Sequence, residues 1–167
     1  MVDGNLLRDG FCLLPGAVPV ATVRQLLAIF GDVFAEDTES VRARSTTMAG
    51  VPHFIACDDV LKRMLTLRIH LDEVTEENGP LRVIPGSHVS STSEGDGLDA
   101  AVNIHAKTGA VLAMRPLISH SSGASKPETQ RHRRILHLEF AASAKLPDAV
   151  QWHDFVRPSS PQKSAIK

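Results

Sequence analysis

The stretch Leu65-Thr66-Leu67-Arg68-Ile69-His70-Leu71-Asp72 alternates apolar and polar residues without a break. Successive side chains of an extended strand point to opposite faces, so Leu65, Leu67, Ile69 and Leu71 share one side, and Thr66, Arg68, His70 and Asp72 the other. This predicts a half-buried strand at the end of residues 60–72. If the leucine side fills the interior, His70 and Asp72 point outward. The Asn78-Gly79 pair that follows is a strong turn signal, and residues 81–84 read as a second short strand stopped by Pro85-Gly86. Residues 110–118 are apolar on both faces, as expected inside a sandwich, with Pro116 implying a bulge or an edge near the end. Residues 134–140 read as a further strand. Upstream, residues 11–15 form an apolar strand closed by Pro15-Gly16, and Pro19 suits the first turn of a helix. Val23, Leu26, Leu27, Phe30 and Phe34 fall on one helical face, which predicts an amphipathic helix over residues 20–35. Residues 36–50 have no period and read as an irregular connection, residues 90–97 as a Ser, Gly and Asp-rich loop, and residues 157–167 as a disordered tail. One helix followed by short strands and turns predicts a mostly β domain with a flanking helix, an antiparallel sandwich or jelly roll over residues 1–156.

A length of 167 residues suits one domain, and 43% hydrophobic residues suffice to bury a core. Lys plus Arg number 18 against 19 Asp plus Glu, so no global field favours nucleic acid or an anionic membrane. Tyr is absent and Trp occurs once, which leaves few side chains for base stacking. Cys12 and Cys57 form no disulfide framework and follow no metal spacing, in keeping with a reducing compartment. No apolar run reaches the roughly 18 residues of a membrane span, and the first residues lack the features of a signal peptide. The expectation is a cytoplasmic protein. Eight histidines in so short a chain are the compositional hint of chemistry.

Within the alternating strand, His70 and Asp72 spell H-x-D, a pairing that sets an imidazole and a carboxylate side by side. With a third ligand from a distant strand it makes a 2-His-1-carboxylate triad, which holds Fe(II) and leaves positions open for co-substrate and oxygen. His120, just past the apolar strand, is the candidate third ligand. Arg133, opening the next strand, could grip a carboxylate with two parallel hydrogen bonds. The plainer alternatives are a surface position for His70 and Asp72, a strand cap for His120, and a solvated basic patch for residues 131–134. His88, His105, His137 and His153 lack ligand-like partners at useful spacing and read as structural. No phosphate loop, zinc-finger spacing or nucleophile elbow is found.

The run Leu67-Arg-Ile-His-Leu-Asp-Glu-Val-Thr-Glu-Glu-Asn-Gly-Pro-Leu-Arg-Val-Ile-Pro-Gly-Ser-His88 resembles the central signature of the phytanoyl-CoA dioxygenase family. Gly109-Ala-Val-Leu-Ala-Met-Arg-Pro-Leu-Ile-Ser-His120 is similar to the family's distal-histidine strand, and Arg133-Arg-Ile-Leu-His-Leu-Glu-Phe140 to the strand that carries its 2-oxoglutarate arginine. Arg8-Asp-Gly-Phe-Cys-Leu-Leu-Pro-Gly16 is similar to the family's opening. The resemblance implies a double-stranded β-helix of the jelly-roll, cupin-like type. It further implies Fe(II) and 2-oxoglutarate as cofactor and co-substrate, His120 as a metal ligand, and Arg133 as the partner of the 2-oxoglutarate carboxylate. The family's metal-binding H-x-D lies well upstream of the Asn-Gly motif, and the stretch between the helix and Val51 contains no histidine. His70 and Asp72 match ordinary strand positions of the family, so the chain reads as internally shortened and its jelly roll as incomplete.

Two functions follow as expectations. One is an Fe(II)- and 2-oxoglutarate-dependent dioxygenase-like protein that hydroxylates a small organic substrate, with His70 and Asp72 recruited beside His120. The other is a shortened member without catalysis that binds a small carboxylate through Arg133, or self-associates. A sheet edge uncovered by a lost strand points to a homodimer.

Overall fold

The computed structural model describes residues 4–33, 58–89 and 98–146, together with residues 152 and 156. The expected irregular segment 36–50, loop 90–97 and tail 157–167 lie outside the described residues, as do Phe34, Cys57 and His153.

Strand β1 spans Phe11–Leu14, helix α1 Val20–Val33 and the one-turn helix α2 Asp58–Leu61. Then come β2 (Leu65–His70), β3 (Leu81–Val83), β4 (Val102–Ile104), β5 (Val111–Met114), β6 (His120–Ser122) and β7 (Ile135–Phe140). The larger sheet runs β1-β5-β2-β7 and the smaller β4-β3-β6, with every pairing antiparallel. This is a mostly β jelly-roll architecture with flanking helices. Helix α1 starts directly after Pro19, whose carbonyl accepts from Val23 N. Val23 is buried and Leu26, Leu27 and Phe30 are half-buried, so the described part of the predicted face packs inward, while Val20 and Ile29, which are not on that face, are exposed. Gly109 lets the chain before α1 approach β5. Its φ is +80°, its carbonyl accepts from Val18 N, and a Cβ there would stand 2.3 Å from Val18 O.

Residues directly opposite one another in an antiparallel pair share a face. The registers therefore put Phe11, Leu13, Leu112, Met114, Thr66, Arg68, His70, Ile135, His137 and Glu139 on one face of the larger sheet. Leu65, Leu67, Ile69, Val111 and Ala113 are on the other. Phe11, Leu13, Leu112 and Met114 pack with Leu81, Val83 and Ile104 of the smaller sheet in a single core cluster. The inward face of β2 is thus the polar one. Thr66 and His70 are buried, and Leu65, Leu67 and Ile69 are only half-buried. This reverses the sequence expectation for the leucine side. Alternation reports that two faces differ, but not which of them meets the second sheet.

Candidate active site

The interior between the sheets grades from apolar to polar. Beneath β1, β5, β3 and β4 it is hydrocarbon; toward β2 it becomes half-buried Arg68 and buried His70, and at its open margin on β7 and β6 stand the exposed His137, Glu139 and His120. His120 pairs with Val83, a fully buried residue of β3, so its Cβ springs from the inner face of the smaller sheet. The ring itself reaches solvent. Nδ1 of His120 donates to Ile118 O at 2.8 Å, which leaves the Nε2 lone pair free.

His70 is 1% exposed. Its backbone N and its Nδ1 both face Ala110 O, at 2.9 and 3.2 Å. A carbonyl can only accept, so the neutral ring carries its proton on Nδ1. Burial, aided by the charges of Arg68 and Arg133, lowers the His70 pKa from 6.5 to about 4, although the Ala110 bond opposes the shift. His70 is a neutral interior histidine at pH 7.

Asp72 parts company with His70 because β2 ends at His70. Its carboxylate accepts from Arg134 N, Nε and Nη2 at 2.8, 2.9 and 2.8 Å. The Arg134 hydrogen bonds hold Asp72 below its ordinary pKa. The expected side-by-side placement of imidazole and carboxylate is not formed. Among the described residues, no group of three or more His, Cys, Asp or Glu converges as a metal cage would require. The described residues do not fit the metal half of an iron site.

The carboxylate half is different. Arg133 is half-buried, and its Nη1 donates to Gly79 O. Burial lowers its pKa. Asn78, buried to 1%, holds this corner: Nδ2 donates to Glu73 O and His132 O at 2.8 and 2.9 Å, and Oδ1 accepts from Thr75 N at 2.8 Å. Gly79 follows with φ +72°, and a Cβ there would lie 2.4 Å from Gly123 O. The Asn78-Gly79 turn therefore anchors the residue before Arg133 and the carbonyl that Arg133 reaches. Arg68 lies on the interior face, with its Nε buried and without a hydrogen-bond partner. Burial, then the nearby Arg133 charge, hold its guanidinium below its ordinary pKa.

Beyond Arg68, Glu139 accepts from Thr66 Oγ1 at 2.7 Å and meets His137 Nε2 at 2.9 Å. Burial pushes Glu139 up. The bonds from His137 and Thr66 and the charges of His137 and His120 outweigh that and hold it low. Sequence reasoning set His137 aside and missed Arg68 and Glu139. The available signal was their shared parity with His70 across the β2–β7 pair, once that side is known to face inward. His88 and His105 do hold structural contacts, to Leu7 O and Glu76. Elsewhere an open groove of about 590 Å³ has an apolar floor at Leu13, Val74 and Ala110. Its rim residues Glu73, Lys107 and Arg131 are tied to one another in ion pairs, and neither Arg68 nor Arg133 lines it.

Comparison with known proteins bears on the family and the fold. The family model for phytanoyl-CoA dioxygenase (PhyH) matches residues 51–134, half of the chain. The fold and this match define a member of the Fe(II)/2-oxoglutarate oxygenase class, and the chain belongs to the phytanoyl-CoA dioxygenase family. Among solved structures, EctD from S. alaskensis with 2-oxoglutarate and 5-hydroxyectoine is 20% identical with a TM-score of 0.59, covering 80% of this chain and 72% of that one. EvdO2 from Micromonospora carbonacea var. aurantiaca complexed with 2-oxoglutarate is 16% identical with a TM-score of 0.60, covering 86% and 91%. HygX from Streptomyces hygroscopicus with nickel and 2-oxoglutarate is 12% identical with a TM-score of 0.54, covering 81% and 83%. At these identities the likeness is one of fold. No curated protein matches the chain. No helix among the described residues is long and apolar enough to cross a membrane.

Proposed function

We propose that this chain is a dioxygenase-like protein of the 2-oxoglutarate class in which Arg133 grips a carboxylate of 2-oxoglutarate inside the sandwich, with Arg68 beside it. The observation that carries this reading is the Arg68 and Arg133 pair. Arg68 has a buried, unpartnered Nε, and burial and then the charge of Arg133 lower its pKa. Like charges so placed repel, and an anionic ligand relieves both the repulsion and the missing hydrogen bond. Membership of the family makes 2-oxoglutarate the natural anion. Equilibrium dialysis of radiolabelled 2-oxoglutarate against the full chain tests this. Saturable uptake that Arg133→Ala abolishes is expected, and uptake unaffected by that change contradicts the reading.

The fuller activity, Fe(II)-dependent hydroxylation of a small organic substrate, is the second reading. It is favoured by the free Nε2 of His120 on the inner face of the smaller sheet. In this reading His120 is the retained ligand, with His70 and Asp72 as the other candidates. His70 would have to swing out of its burial and Asp72 to leave Arg134. Succinate release from 2-oxoglutarate under anaerobic iron loading and then air is the test, and a His120→Ala variant should remove it. Self-association is proposed through β7, which pairs only with β2 among the described residues and ends at Phe140, 50% exposed. Light scattering should give twice the chain mass, and a monomer at all concentrations contradicts it.

A further inference from the structure

We infer that Arg68 takes over the second carboxylate of the ligand, so that this site binds C5 dicarboxylates without a metal and without a need for their keto group. The inference rests on the 2-oxoglutarate reading of Arg133 and goes beyond it in ligand class and in metal dependence.

In a metal-chelating site, the keto oxygen and the adjacent carboxylate are held by the ion, and a dicarboxylate without the keto group loses that chelation. Here the described residues gather no metal cage. Asp72 is committed to Arg134, and His70 is buried with its Nδ1 donating to Ala110 O. The interior does contain a second fixed cation. Arg68 is on the central part of β2, inward-facing and opposite His137 and Leu112. Its Nε is buried with no partner, and no carboxylate is paired with it among the described residues. Glu139, the acid that the β2–β7 register places on that face, is already held by Thr66 and His137. Asp72 is likewise taken. A guanidinium with a buried Nε and no paired carboxylate lacks the compensation that buried charges ordinarily have. Two cations match one dianion, and a guanidinium presents the planar fork that a carboxylate fits. The arrangement therefore recognises two carboxylates on a short chain; among the described residues nothing in it reads a keto oxygen.

Isothermal titration calorimetry on the full chain tests this with 2-oxoglutarate and glutarate, which share a carbon skeleton and differ in the keto group. Each is titrated in EDTA and, anaerobically, with Fe(II). In EDTA both ligands should bind, with dissociation constants within about threefold of each other, and iron should change neither by more than about threefold. Arg68→Gln should weaken both by about tenfold or more in EDTA, loss of one charge-assisted contact being of that size. Circular dichroism is used to check that this variant is folded, and the comparison of the two ligands on the unaltered chain needs no variant at all. Binding of 2-oxoglutarate only with iron, with glutarate silent, overturns the inference and leaves the Arg133 reading standing. Silence of both ligands under both conditions removes that reading too.

Discussion

Replacing His70 with Leu should remove an acid-sensitive element of stability. The His70 pKa is lowered from 6.5 to about 4 in the fold, chiefly by burial. A base with a depressed folded value is neutral in both states above pH 6.5. As pH falls below 6.5 the unfolded chain takes up a proton that the folded chain refuses, so stability drops until the folded value is reached. The full difference of these values corresponds to about 3 kcal/mol, of which about 2.5 kcal/mol is lost by pH 4.5. His70 is almost wholly buried, so solvent screening does not dilute this figure. Urea unfolding of wild type and His70→Leu at several values between pH 7.5 and 4.5 isolates the effect, because the remaining titrating groups are common to both. The advantage of wild type over variant should shrink by about 2.5 kcal/mol across that range. The lost Nδ1 bond to Ala110 O adds a constant offset that does not vary with pH. Parallel curves for the two proteins would refute the buried neutral placement of this ring.

Arg68→Met should raise the stability of the ligand-free protein by about 1 kcal/mol, because it replaces an uncompensated, partly buried charge with a side chain of similar length; a lowered melting temperature contradicts the unpaired state of Arg68. Asn78→Ala should cost about 2–3 kcal/mol in denaturant unfolding, since Glu73 O, His132 O and Thr75 N lose their partner together. Near-wild-type stability of that variant would remove Asn78 from the Arg133 anchor. Gly79→Ala should cost more than Gly16→Ala: both glycines have positive φ, but an added Cβ meets Gly123 O at 2.4 Å in one case and nothing within 4 Å in the other. The backbone penalty alone is about 1 kcal/mol, and equal losses would show that the close approach is absent.

Where local chemistry sufficed, the elements were legible. The strand read over residues 11–15 is Phe11–Leu14, the helix read over 20–35 is Val20–Val33, and the strand read over 134–140 is Ile135–Phe140. The apolar segment 110–118 is a strand only over Val111–Met114, and its chain turns before Pro116, which cannot donate to a ladder. Of residues 60–72, only Leu65–His70 is extended, because α2 takes the start and the strand ends before Asp72. That early end separates the two halves of the H-x-D pair, a matter of strand length that alternation does not encode. Strands β4 and β6, three residues each, are too short to show a period. Arg68 escaped attention for a related reason. An arginine on the polar side of an amphipathic strand ordinarily meets water, and only the position of the second sheet makes that side the interior.

The most direct measurement is a crystal structure of the chain grown with 2-oxoglutarate and Fe(II) under anaerobic conditions, with anomalous data collected at the iron edge. Dicarboxylate density bridging the Arg68 and Arg133 guanidiniums, with no anomalous peak at His70 or Asp72, is the expected result. An iron peak ligated by His70, Asp72 and His120, or a ligand that touches neither arginine, would contradict the account.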